Sequence, residues 1–309
     1  MKFLENPTEF LCDKESTNYV SYIDTDSVYI HAEPLLRYLH PNFDQMSEKE
    51  RGDELEKVAL YYQDYITNYY DKLAKECFNI PTHRLEMKTE CVIRSAYFRF
   101  TRRYAQWITK SEGIAKDKLD VKGLEFKKAN FPPILGKFFK EALIDVLKGA
   151  PQSEIDSRIS EMRKKILGGE IPFKLLGNPT SVKTLNKYTG KKPKPGEIFT
   201  EILHGAKANV KGSIIYNDLI RFWGLNKEHG YIVQGDKIKW VYLKPNPYKI
   251  DAIAFLDFDM PPKIKDFIEK YLDRQRIFDS ILLNKLEGFY DDLGWHLNLN
   301  PYKDEFFNF

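Results

Sequence analysis

The 309 residues, 42% hydrophobic and 30% charged, suffice for one large domain or two ordinary ones, each burying its own core. A net charge of +3 is too small to argue for a nucleic-acid partner, so any anion-binding face must be local, and basic residues do outnumber acidic ones from Arg84 to Lys140 and again from Lys183 to Lys211. Cys12, Cys77 and Cys91 are widely spaced and lack a CxxC pair, which implies neither a disulfide framework nor a zinc site; with no apolar run near ~18 residues and no signal-peptide pattern, a reducing cytosol is the expected compartment.

Residues 19–31, Tyr-Val-Ser-Tyr-Ile-Asp-Thr-Asp-Ser-Val-Tyr-Ile-His, are β-branched and aromatic on both sides of a polar turn, which predicts a β-hairpin. From Lys49 to Cys77, apolar residues recur at three and four, the period of a long amphipathic helix. Strand-like alternation returns over 83–109. Pro132-Pro133 then opens a helix expected over 134–148, followed by a second over 153–167 that Gly168-Gly169 stops. The stretch 170–200 is rich in Pro, Gly and Lys and reads as loop. A helix over 211–223, strands within 231–256 and a helix over 261–285 complete the pass, with a boundary expected near Lys118.

Asp24-Thr25-Asp26 carries the candidate chemistry. Two carboxylates flanking one residue at a hairpin tip offer hard oxygen ligands to Mg²⁺, as phosphoryl transfer requires. The bare pattern also fits an Asx-turn or a nucleotide-sugar glycosyltransferase, but not an EF-hand loop, because Tyr29 stands where the obligatory Gly would be. Downstream, Arg102, Arg103 and Lys110 interleave with Tyr104 and Trp107, the mixture expected of a surface that tracks a nucleic-acid backbone. A basic strand edge blocked against aggregation has the same composition.

Tyr22-Ile23-Asp24-Thr25-Asp26-Ser27 closely resembles motif C (Tyr-Gly-Asp-Thr-Asp-Ser) of family B DNA polymerases, with Ile23 in place of the usual Gly. Further segments match in order. Arg102-Arg103-Tyr104-Ala105 resembles the family's Lys-Lys-Arg-Tyr-Ala segment, with Thr101 at the first Lys. Leu85 to Glu90 falls where the family has a palm strand, and Glu90 lines up with an acidic residue close to the metals. Lys122-Gly123-Leu124-Glu125 and Phe131-Pro132-Pro133 look like the entry into the thumb. Ser181 to Tyr188 resembles a thumb segment lying along the minor groove. In detail the chain looks most like the polymerases of T-even-like bacteriophages.

The resemblance implies an α+β fold: the C-terminal portion of a palm, antiparallel strands with helices, over residues 1–118, then a mainly helical thumb with a small strand-containing subdomain over 119–303. It implies Asp24 and Asp26 as catalytic and metal-binding residues, Glu90 as a further metal residue, and two Mg²⁺ ions. Primer-template DNA would be held by Arg102, Arg103, Tyr104 and Lys122 and, in the thumb, by Ser181, Lys183, Asn186, Lys187 and Tyr188. The tail 304–309, with Phe306, Phe307 and Phe309, looks like the clamp-binding peptide of those phage enzymes. The substrates would be primer-template and dNTP, in the cytoplasm of an infected bacterium, with no membrane partner. The family's exonuclease motifs, motif A aspartate and fingers Lys and Asn all precede motif C, and only about twenty residues precede it here. The expectation is therefore a split enzyme whose N-terminal polypeptide supplies them; a non-catalytic DNA-binding and clamp-tethering module with vestigial aspartates is the alternative.

Overall fold

In the computed structural model, which describes residues 19–81, 83–124, 126 and 130–297, the amino-terminal hairpin is present. Val20–Asp24 (β1) pairs antiparallel with Ser27–Ile30 (β2), and the register Asp24↔Ser27 leaves Thr25 and Asp26 as the connection. Helix α1 (Glu33–Leu39) follows, then α2 (Glu48–Phe78). Ser47 and Glu50 close a capping box at the start of α2, which satisfies otherwise orphaned backbone donors, and Asn79 ends it in the left-handed conformation. The two helices share a small core of Leu35, Leu36, Phe43 and Val58, with Arg37 and Arg51 lying 4.6 and 4.5 Å from the centre of the Phe43 ring.

A three-stranded antiparallel sheet, β3 (Cys91–Phe100), β4 (Arg103–Ser111) and β5 (Ile114–Lys122), comes next. The β4–β5 connection is Glu112-Gly113, both with positive φ (52° and 77°), as a tight hairpin turn matching the strand twist demands. The strand expected over 83–90 does not form. Their amides donate to side chains instead: Met87 to Thr67 Oγ1 and Thr89 to Gln63 Oε1, both on α2. Residue 118, where the boundary was expected, lies inside β5, and the first compact unit runs through Leu124.

The second unit, Glu125–Phe309, opens with α3 (Pro133–Leu147) and α4 (Gln152–Leu167), which bury Leu135, Phe139, Leu143, Ile155, Ile159 and Ile166. Two single-turn helices, α5 (Phe173–Leu176) and α6 (Leu185–Tyr188), flank β6 (Asn178–Ser181) within the expected loop. Strand β6 joins β7 (Lys237–Tyr242) and β8 (Ala252–Phe255) in an antiparallel sheet covered by α7 (Ala208–Phe222). A Cβ on Gly212 would lie 2.7 Å from the Ala254 nitrogen, so glycine is what lets α7 approach β8. The helix expected over 261–285 is broken. Helix α8 (Pro262–Tyr271) ends where Leu272 turns extended and bridges Leu243, and the Asp273 side chain caps α9 (Arg274–Ile277). The chain then continues through a π-helical stretch, Phe278–Leu283, into α10 (Asn284–Asp292). The class is α+β, as the sequence implies.

Candidate active-site hairpin and basic surfaces

The acidic turn is tight and strained. The Asp26 amide donates to the Asp24 carbonyl at 2.6 Å, across a Thr25 whose φ is +48°. A three-residue turn with positive φ at a β-branched centre is rare, and such a conformation costs on the order of 1–3 kcal/mol. It persists because its surroundings fix it: the Ser27 hydroxyl donates to the Asp24 carbonyl at 3.1 Å, and Thr25 Oγ1 donates to Asp24 Oδ1 at 3.1 Å. The two carboxylates differ in setting. Asp24 is half-buried, with Arg102 Nε 3.5 Å from its Oδ2. Asp26 is exposed, and its side chain has no ion pair or hydrogen bond among the described residues.

Four rings from distant segments hold the hairpin. Tyr22 of β1, Tyr29 of β2, Phe98 of β3 and Tyr104 of β4 lie in mutual contact, with centroids 5.0–5.8 Å apart. Such pairs add about 0.5–1.5 kcal/mol each beyond the area they bury. Polar bonds finish the cluster: Tyr29 Oη donates to Tyr104 Oη at 3.1 Å, and Tyr22 Oη accepts the Arg102 amide at 2.7 Å. Burial, then the Tyr104 hydroxyl, pushes the Tyr29 phenol well above its usual range, so it stays a neutral donor. Arg102 itself sits at the β3–β4 turn with φ +61°. Thus an acidic hairpin and a basic turn nearly eighty residues away meet at Asp24.

Gly123 underpins this meeting. Its φ is +64°, and a Cβ there would stand 2.2 Å from the Arg102 carbonyl oxygen. Lys122 places its ammonium 5.6 Å from the Tyr104 ring centre, and the Tyr104 hydroxyl raises its pKa.

The residues singled out in the sequence separate into groups. Arg102 is exposed, whereas Tyr104, expected to face DNA, is only 5% exposed and acts within the aromatic cluster. Trp107 is also buried, donating Nε1 to Asp117 at 2.6 Å. Lys110, read as a cation for a phosphate backbone, is engaged by Asp53 and Glu56 of α2, whose hydrogen bonds raise its pKa. Glu90 lies just before β3, near enough to Tyr29 and Lys122 for its charge to raise both pKa values. It does not join Asp24 and Asp26: among the described residues no three His, Cys, Asp or Glu side chains form a group able to hold a metal. The donors present, two carboxylates, suit a hard divalent cation but make an incomplete ligand set.

In the second unit, Val182 and Leu185 are buried and anchor the segment after β6, while Lys183, Asn186 and Lys187 are exposed, and Ser181 and Tyr188 are half-buried. The Lys187 ammonium lies 5.4 Å from the Tyr188 ring centre. The tail 304–309, with Phe306, Phe307 and Phe309, lies outside the described residues. Sequence reading missed Tyr22 and Phe98 as hairpin anchors. Aromatic residues on strands were the available signal, but nothing local told which rings would meet.

No protein-family profile matches the chain. It is similar to the DNA-directed DNA polymerase of Escherichia phage RB69, with 23% identity over 298 residues that cover 90% of this chain and 31% of that protein. The chain thus spans about a third of the length of the curated relative it matches. Among the described residues no helix is long and apolar enough to cross a membrane.

Proposed function

We propose that the chain is the C-terminal part of a family B DNA polymerase, the first compact unit, which runs through Leu124, serving as the end of the palm, the second as the thumb, and residues 304–309 as a sliding-clamp peptide. The observation that carries this reading is the convergence of Asp24, on a strained and aromatic-braced turn, with Arg102 of the basic β3–β4 turn. A phage DNA polymerase matched across 90% of the chain supports it independently.

The reaction is attack of a primer 3′-hydroxyl on the α-phosphate of a dNTP: a new P–O bond forms, pyrophosphate leaves, and the hydroxyl proton is lost. Asp24 and Asp26 would hold two Mg²⁺ ions, which supply positive charge where the phosphates accumulate negative charge. Because two carboxylates leave that set open, the remaining ligand is a carboxylate from a polypeptide carrying motif A, the fingers and the exonuclease. Glu90 shapes the electrostatics of the hairpin rather than closing a three-carboxylate group with the aspartates. The chain's own contribution is positioning. The aromatic cluster fixes the hairpin, Arg102 orients Asp24, and the exposed Arg102, Lys122, Lys183, Asn186 and Lys187 offer contacts to duplex phosphates without reading sequence. Tyr104 acts through Tyr29 and not by touching DNA.

The test is primer extension by the chain co-expressed with a polypeptide that carries motif A. Asp26→Ala is expected to lower extension by about 10²–10³-fold or more while duplex binding stays within about twofold. Extension that survives the substitution would show a non-catalytic DNA-binding module, as would its absence from the wild-type pair; full extension by the isolated chain would defeat the shared ligand set.

A further inference from the structure

At the hairpin, a guanidinium stands beside a carboxylate that a bound cation would also need. Both oxygens of Asp24 have partners: Oδ1 accepts the Thr25 hydroxyl at 3.1 Å, and Oδ2 faces Arg102 Nε at 3.5 Å. The Asp26 side chain has neither an ion pair nor a hydrogen bond among the described residues. The two carboxylates therefore meet an incoming cation on unequal terms.

The Arg102 backbone is fixed and its side chain is not. The amide donates to Tyr22 Oη at 2.7 Å, the φ of +61° is one that few non-glycine residues adopt, and a Cβ on Gly123 would stand 2.2 Å from the Arg102 carbonyl oxygen. The side chain is 73% exposed, against 28% for Asp24, so the guanidinium can leave the carboxylate without disturbing the turn that carries it. An ion pair this exposed contributes little to stability, which makes an exchange of partners easily reversible. A divalent cation brings twice the charge and bonds the carboxylate oxygen directly, while a phosphate offers the guanidinium two parallel hydrogen bonds. Each is a stronger partner than the pair is for itself.

We infer that Arg102 is a removable counter-ion for Asp24, a positioning residue that keeps this carboxylate out of the cation's ligand set until an anion draws the guanidinium away. Asp26 meets the cation first, and Asp24 joins it only when Arg102 leaves. Anion binding by Arg102 and cation binding by Asp24 therefore favour each other, and linkage makes each strengthen the other by the same factor. The inference rests on the polymerase reading for the identity of the cation and goes beyond it in making metal loading conditional on one arginine.

Titration of the full chain with Mn²⁺, the free ion being followed by its paramagnetic resonance signal, tests it. Asn tolerates positive φ, so Arg102→Asn removes the guanidinium without straining the turn and should tighten Mn²⁺ binding about three- to tenfold. Arg102→Lys keeps the charge and should stay near the wild type. Arg103→Gln is the charge control: neighbouring strand residues face opposite ways, Tyr104 faces the hairpin, and the Arg103 guanidinium lies 5.8 Å from the Phe100 ring centre. It too should stay near the wild type. Circular dichroism confirms folding; should Arg102→Asn unfold, Arg102→Gly takes its place. A folded Arg102 variant that binds Mn²⁺ no more tightly than the wild type overturns the inference, as does an equal gain in Arg103→Gln, since net charge alone would then account for it. Asp26→Ala separates this inference from the polymerase reading. Mn²⁺ binding that Asp26→Ala does not weaken lies away from the hairpin and defeats both; hairpin-dependent binding that ignores Arg102→Asn defeats the inference alone.

Discussion

Gly123 shows how much a single residue can decide. A methyl group at this position meets two penalties: a φ of +64°, and an Arg102 carbonyl oxygen 2.2 Å from the new carbon. Gly149 has a similar positive φ of +90° with nothing within 4 Å of its virtual Cβ, so the pair separates conformational strain from collision. Gly149→Ala is expected to cost about 1 kcal/mol and Gly123→Ala at least ~2 kcal/mol, read as the difference in urea midpoints. The greater loss follows from displacing Arg102, whose amide bonds Tyr22 and whose guanidinium reaches Asp24. Equal losses would mean that the β3–β4 turn yields freely and does not position Asp24. At this scale the sequence was informative about chemistry and silent about support. Asp24 and Asp26 stood out because their spacing is local. The pairing of Tyr22 with Phe98 spans more than seventy residues and depends on which faces of two sheets meet.

Among elements, legibility followed the origin of the hydrogen bonds. The long helix α2 was readable from its periodicity because its backbone bonds are its own. Residues 83–90 have strand-like alternation but take amide partners from Thr67 and Gln63, which no periodicity encodes. The break at Leu272 is similar, since it serves a bridge to Leu243 at the end of β7. The segment after β8 offers a test of such side-chain fastening. The Asp259 carboxylate takes His229 Nδ1 at 2.5 Å and the Gly230 amide at 3.0 Å, and these bonds, the imidazole first, hold its pKa below the usual 3.8. A depressed carboxylate pKa means that the folded state favours the ionised form. Its contribution is therefore complete above pH 3.8 and is lost as pH falls through the lower folded value. Tm measured against pH should fall more steeply below that point in the wild type than in Asp259→Asn, which has no proton to take up; parallel curves would show that the His229 contact fastens nothing.

For the whole molecule, the net charge of +3 is a poor guide to binding, because ion pairs silence many cations. Lys110 is held by Asp53 and Glu56, and Lys239 by Asp257 at 2.6 Å, whereas Lys183 and Lys187 have no acidic partner among the described residues. Under the proposed function these two lysines each neutralise a phosphate and release its counterions, so the logarithm of duplex affinity should fall with the logarithm of salt at roughly 0.9 per contact. Lys183→Gln with Lys187→Gln should reduce that slope by about 1.8, equally for duplexes of unrelated sequence, because backbone contacts position DNA without reading it. Lys72→Gln with Lys75→Gln, on exposed positions of α2, changes the net charge by the same amount and should leave the slope unchanged. A slope that responds equally to both pairs would mean that overall charge governs binding and that the segment after β6 is only a solvated surface. A slope that responds to the first pair alone makes the effect local, since the two substitutions per chain are electrostatically identical at distances beyond the ~8–10 Å over which physiological salt leaves charge visible.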